Sequence, residues 1–256
     1  MEPLEQFPRF LGIGAQKGGT TTLQRLLQHH PQVFLPDAKE LHYFSLHYAR
    51  GPRWYAAQFE AALPDQFCGE ITPYYLFHPE APARIASLLP DVKLVILLRD
   101  PVERALSQYF HSRRLGLEPL PLEDALAAEA DRLYGANQIL ASPEGRDRSH
   151  QEHSYVARSR YELQLELYHR YFAADQLLVL RSEDFFSQPT LSWQRLQMFL
   201  ALTPTPLCRS DLPRANAGSD EAADVSSLIR QQLREALAPT YQAMHALYGL
   251  SWSDKA

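Results

Sequence analysis

Apolar positions fall into short continuous runs, and most runs are followed by a stretch with helical spacing. Phe10 to Ile13 is such a run; the small, turn-prone GAQKGGTTT follows it, and then LQRLLQHH, whose Leu23, Leu26 and Leu27 recur at helical spacing. This order predicts a strand, a tight glycine loop and a helix. VKLVILLRDP, Val92 to Pro101, is the strongest strand signal, since it carries a continuous apolar run of the kind buried on both faces of a parallel sheet. Pro101 suits the first turn of the helix that VERALSQYFHSRRL continues. Val33 to Ser45 reads as a short extended piece, a turn at Pro36-Asp37 and a charged, aromatic cluster. A helix is expected around Trp54 to Leu63 and another over Pro79 to Leu89; between them Cys68 to Leu76 reads as a buried strand entering a loop, because Pro73 ends regular pairing.

Farther along, RYELQLELYHRYF reads as a helix, QLLVLRSEDF as a strand running into a loop, TLSWQRLQMFLAL as a helix, and the last helix as running from about Glu221 to Tyr248. Gly116 to His153 breaks the rhythm: one helical piece, LEDALAAEADRLY, precedes the polar ASPEGRDRSHQEHS. This stretch reads as a mobile insertion serving as a lid or acceptor-binding loop, and a solvated surface loop fits it equally. Strands alternating with helices predict an α/β fold, a parallel sheet with helices on both faces, in one domain over residues 1–256. Right-handed crossovers set the strand C-termini along one edge, where such sheets bind ligands. The loops after Ile13 and Leu98 both fall there, so they can share one ligand.

Composition narrows the class. Hydrophobic content of 45% and charged content of 21% are ordinary for a soluble globular chain. With 25 Lys+Arg against 30 Asp+Glu the net charge is −5, which argues against a basic nucleic-acid surface. Cys68 and Cys208 are the two cysteines; far apart, they suggest neither a disulfide framework nor a zinc site. MEPLEQFPRF lacks the basic and apolar regions of a signal peptide, and no apolar run approaches the ~20 residues of a membrane span. With Met1 at the start, a cytoplasmic enzyme is expected rather than an excised catalytic domain.

The glycine loop carries the chemistry. Glycines let the backbone approach a ligand, and the helix N-terminus offers unpaired N–H groups at a positive dipole end. Lys17 adds a positive charge and Thr20, Thr21 and Thr22 add hydroxyls, which together describe an anion site for a phosphate-like group. The loop is not G-x-x-x-x-G-K-[ST], since its lysine precedes the two glycines as K-G-G-T. A glycine-rich turn with no ligand is the other reading. The second motif, RDPVERALS, sets Arg99 at the end of the buried strand and Ser107 about two helical turns on. A guanidinium fork suits phosphate and a serine hydroxyl can add a hydrogen bond. An Arg99–Asp100 or Arg104–Glu103 surface pair with a buried serine would fit the same letters.

AQKGGTTTL resembles the 5′-phosphosulfate loop of the sulfotransferases that use 3′-phosphoadenosine 5′-phosphosulfate (PAPS), and RDPVERALS resembles their 3′-phosphate motif R-D-P-x-x-R-x-x-S. The heparan-sulfate enzymes and their bacterial relatives are the most similar, and the resemblance covers Phe10 to roughly Leu202. It implies a P-loop-like fold and PAPS as co-substrate with no metal. Lys17, Gly18, Gly19, Thr20 and Thr21 would hold the phosphosulfate, Arg99 and Ser107 the 3′-phosphate, and Arg214 in LPRANAG would lie over the adenosine. KELHYFS resembles the segment that carries the general base, with Glu40 and His42 on the family's glutamate and histidine. A carboxylate so placed can take the acceptor's proton while Lys17 neutralises charge on the leaving phosphate. An ion pair of Glu40 with Lys39 and a half-buried structural His42 are the plainer readings. GEITPYYL departs from the family's G-E-K-T-P-x-Y, with Ile71 at the lysine, and Ser45 replaces an acidic residue. Both changes, with the net acidity, argue against a heparan-like polysaccharide, though arginines at 113, 114, 146, 148, 158 and 160 could line a basic cleft. The implied partner is a small-molecule, carbohydrate or lipid hydroxyl. An ATP-dependent kinase, which would need magnesium and a Walker-type lysine, and a non-catalytic nucleotide-binding relative are the alternatives.

Overall fold

In the computed structural model, which describes residues 6–207, 212 and 220–252, the apolar runs become five strands. β1 (Phe10–Gly14), β2 (Val33–Phe34), β3 (Phe67–Ile71), β4 (Lys93–Leu98) and β5 (Leu177–Arg181) form one sheet in the order β2-β3-β1-β4-β5. Every pairing is parallel. Side chains alternate across a strand, and both faces of this sheet are covered, so the strands are apolar throughout. Leu94, Ile96 and Leu98 of β4 face the core that holds Leu11 and Ile13 of β1. Val95 and Leu97 face the opposite core with Phe10.

Helices fill both layers. α1 (Thr20–Gln28) and α10 (Pro189–Leu200) cover one face through Leu23, Leu26 and Leu27 and through Trp193, Leu196 and Leu200. α3 (Ala81–Leu88), α8 (Tyr161–His169) and α13 (Ala238–Tyr248) cover the other through Ile85, Tyr161, Leu165, Tyr168 and Met244. α4 (Pro101–Arg114) follows β4 directly, and Asp100 caps it by accepting from Val102 N at 2.9 Å and Glu103 N at 3.0 Å.

Local chemistry moved several boundaries. The helix expected at Trp54 to Leu63 is α2 (Gly51–Ala57), started by Gly51 at φ 78° and Pro52. QLLVLRSEDF does not end in a loop; α9 (Ser182–Ser187) follows β5. The single C-terminal helix is three, α11 (Asp220–Ala223), α12 (Ser227–Ala236) and α13, with Pro239 opening the last. Residues 116–153 fold into α5 (Leu122–Leu133), α6 (Ala136–Leu140) and α7 (Arg148–Glu152). They are tied down by polar groups the sequence had suggested were solvated: Glu118 takes Arg132 at 2.6 and 3.1 Å and the Tyr155 hydroxyl at 2.7 Å. Glu129 accepts Val156 N and Ala157 N, both at 2.8 Å. Among the described residues no helix is long and apolar enough to cross a membrane.

Candidate active site

β1 delivers the chain to the C-terminal edge, where Ala15 N donates to Leu97 O at 2.8 Å and Gly18 N to Ala15 O at 2.9 Å. The loop lies flat against β4. A Cβ on Gly18 would stand 2.3 Å from Leu97 O, and one on Gly19, at φ 99°, would stand 2.8 Å from Phe186 Cζ. Only glycine fits either position. Gly19 starts α1 with no side-chain cap and no acidic residue in the first turn, so the N–H groups of Thr20 and Thr21 are left for a ligand.

Four cations lie close enough to act on Lys17. Burial first, then Arg114, Arg99, Arg104 and Lys39, bring the Lys17 ammonium down to about 8. Burial and crowded positive charge of this kind suit an anionic ligand. The structure thus joins Lys17 to Arg99, the first residue of the second motif. Arg99 reaches Glu103 at 3.9 Å, one turn before the half-buried Ser107, whose hydroxyl makes no hydrogen bond to another described residue. The surface-pair reading fails at Arg104: it is fully buried, bonded to Ser159 Oγ at 2.5 Å, Gln108 Oε1 at 2.6 Å and Tyr155 O. Its task is to seat α4. Arg214 lies outside the described residues.

Across the helix end sits Glu40. The segment is strained, with Glu40 at φ 59° and His42 at φ 53°. Lys39 Nζ donates to Thr21 Oγ1 at 2.8 Å and lies 3.2 Å from Glu40 Oε1, so one ammonium spans the glycine-loop helix and the carboxylate. His42 Nε2 is 3.6 Å from Glu40 Oε2, and its Nδ1 is hydrogen-bonded to Ser45 Oγ at 3.2 Å. Burial works to raise the Glu40 carboxyl, but His42 and Lys39 outweigh it and hold it below the usual carboxylate range. The Glu40–Lys39 ion pair is therefore present, and it holds this carboxylate beside the N-terminal turn of α1.

The supporting roles of Glu70 and Arg158 escaped the sequence reading. Glu70 is fully buried and accepts the Tyr55 hydroxyl at 2.7 Å, the Tyr75 hydroxyl at 2.8 Å and the Thr72 hydroxyl at 3.0 Å. His42 N in turn donates to Thr72 Oγ1 at 3.4 Å, which links the strained segment to the sheet. Arg158, buried beneath the loop, donates to the Gln16 side chain and to the carbonyls of His150 at 2.7 Å and Gln151 at 2.8 Å. Its guanidinium also lies over Tyr74 and Phe77. Nothing in the letters around Arg158 tied it to Gln16. Of the other arginines suggested for a basic cleft, Arg113 is committed to the Glu118 and Pro119 carbonyls and Arg146 to that of Leu46. Ile71 is buried against Gly12 and turns no polar group toward the edge. Among the described residues no His, Cys, Asp and Glu cluster could hold a metal ion.

The profile of the sulfotransferase domain matches residues 8–216. The chain belongs to the sulfotransferase family. It is 34% identical over 206 residues to mouse heparan sulfate glucosamine 3-O-sulfotransferase 3A1, an alignment covering 78% of this chain and 47% of that protein. It is 47% identical over 108 residues to the membrane-associated sulfotransferase kil1 of Dictyostelium discoideum, covering 41% of this chain and 23% of the other. The chain thus spans about half the length of the heparan sulfate relative and less of kil1. A sulfotransferase crystal structure from Alicyclobacillus acidocaldarius superposes with a TM-score of 0.79 at 26% identity, covering 96% of this chain and 98% of that one.

Proposed function

We propose that this sulfotransferase moves a sulfuryl group from PAPS to an acceptor hydroxyl or amine, with Glu40 as general base. The observation that carries the reading is the Lys39 bridge: a carboxylate able to take a proton is held one ammonium away from an uncapped helix N-terminus ringed by cations. The bridge supports a donor on the Thr21 side of Lys39 and a base on the other, as in-line displacement requires.

The division of labour follows from the groups present. Gly18 to Thr21 cradle the 5′-phosphosulfate with backbone N–H groups and hydroxyls; Lys17 neutralises the charge that grows on the leaving phosphate oxygen. Arg99, just after β4, and Ser107, within α4, hold the 3′-phosphate. Glu40 accepts the acceptor's proton as the new O–S bond forms, and His42 fixes the orientation of that carboxylate. The acceptor is a hydroxyl or amine on a small molecule, carbohydrate or lipid.

The test is formation of adenosine 3′,5′-bisphosphate from PAPS, with sugar, lipid and phenolic acceptors, in the wild type and in Glu40→Gln. Turnover falls by about 10²-fold or more in the variant, while donor affinity stays within about twofold. Loss of donor binding along with turnover would make Glu40 a structural residue.

A further inference from the structure

Building on that reading, we propose that Lys39 is a further catalytic residue: its ammonium binds the sulfuryl oxygens of the donor during transfer, between the glycine loop and Glu40.

Lys39 Nζ is 2.8 Å from Thr21 Oγ1, in the first turn of the uncapped α1, and 3.2 Å from Glu40 Oε1. A group passing from the donor on the first side to an acceptor activated on the second must cross the space this ammonium borders. Lys39 also acts on the Lys17 ammonium, which puts both in one field. Its side chain is 34% exposed, so it is open to a ligand and free to turn.

Residue choice points the same way. The chain has four lysines among its 25 Lys+Arg, at 17, 39, 93 and 255. Lys93 is spent at the other end of the sheet, on Phe199 O, and Lys255 lies outside the described residues. Lysine therefore serves at this edge twice, in a chain that otherwise uses arginine. An ammonium is compact and has three rotatable donors, so it can swing from a carboxylate to a sulfuryl oxygen; a planar guanidinium fork cannot do this as readily. Ile71 adds no charge on this side, and Arg158 is buried with its terminal nitrogens on Gln16, His150 and Gln151.

In the transfer, the acceptor O–H gives its proton to Glu40 and its oxygen bonds to sulfur. The bond from sulfur to the phosphate oxygen breaks, and its electron pair stays on that oxygen beside Lys17. Lys39 keeps its protons and donates hydrogen bonds to the sulfuryl oxygens off the line of attack. Turning away also releases Glu40 from a cation that weakens it as a base.

The experiment compares the whole chain with Lys39→Met and Lys39→Arg by calorimetric titration with PAPS and with adenosine 3′,5′-bisphosphate, which lacks the sulfuryl group. Lys39→Met should lose about tenfold in affinity for PAPS and nothing for the bisphosphate, with Lys39→Arg between the two. Bisphosphate formation from saturating PAPS should slow by at least the same factor. Equal loss for both ligands, loss for neither, or an unchanged rate overturns the inference, because Lys39 then only shapes the loop. A wild type that binds neither ligand is a different result: it defeats the PAPS reading itself and this inference with it.

Discussion

The crowding of positive charge around Lys17 has a direct consequence for pH. Burial and four neighbouring cations bring its ammonium to about 8 from an ordinary value of 10.5. The free protein therefore loses this charge as pH rises through about 8, whereas an exposed lysine would hold it. A bound bisphosphate supplies the missing counter-charge and draws the ammonium back toward its ordinary range. The sign follows: ligand binding above pH 8 takes up a proton. About nine-tenths of Lys17 is charged at pH 7 and about one-tenth at pH 9, so uptake approaches ~0.9 proton per site at pH 9 and affinity falls about tenfold between the two. His111, on which Lys17 acts, is pulled down by burial, by Lys17 and by Arg114, so it is neutral across this window. The assay is calorimetric titration with adenosine 3′,5′-bisphosphate at pH 7 and pH 9, in two buffers of different ionisation enthalpy. Lys17→Arg, which does not titrate here, should abolish the uptake. Uptake of no proton at pH 9, or the same uptake in Lys17→Arg, would refute the reasoning.

Other consequences are as easily checked. Gly18→Ala drives a methyl to 2.3 Å from Leu97 O, backbone that cannot swing aside, and should destabilise the fold by about 1–3 kcal/mol in chemical denaturation and abolish bisphosphate binding. Arg104→Met removes a buried guanidinium and strands Gln108 Oε1 and Tyr155 O, which should cost about 2–4 kcal/mol and lower the melting temperature by several degrees. Burial raises the Glu70 carboxyl against its three hydroxyl donors, so its contribution to stability is full below the ordinary 4.5 and is lost as pH rises through the raised value. Glu70→Gln, which stays neutral, should therefore gain on the wild type between pH 4 and pH 7 in denaturant midpoints; parallel midpoints would contradict the assignment.

Periodicity made the sheet legible because its strands are covered on both faces: Val92 to Leu98 could hardly be anything but a central strand, and it became β4 beside β1. The glycine loop was legible for a steric reason, since K-G-G-T places glycine where Leu97 O and a positive φ allow nothing larger. Helix ends were harder. Pro239 splits the last helix, and amphipathic spacing alone continues through such a break. Residues 116–153 looked solvated because their charges are buried by partners far along the chain, such as Glu118 with Tyr155 and Glu129 with the Val156 and Ala157 amides. The same limit hid Glu70 and Arg158, whose roles depend on contacts between β3, the strained Glu40 segment and Gln16. Glu40 itself was visible by its motif, but its link to Thr21 through Lys39 belongs to the fold.

The central claim is that the edge shared by the glycine loop and Arg99 is a site for an adenosine 3′,5′-bisphosphate unit. Calorimetric titration without magnesium, beside ATP and beside Arg99→Ala, tests it most directly. The account predicts tight binding that prefers the bisphosphate and weakens by about tenfold or more in the variant. No binding, or a preference for ATP that needs magnesium, would contradict it and point to phosphoryl transfer instead.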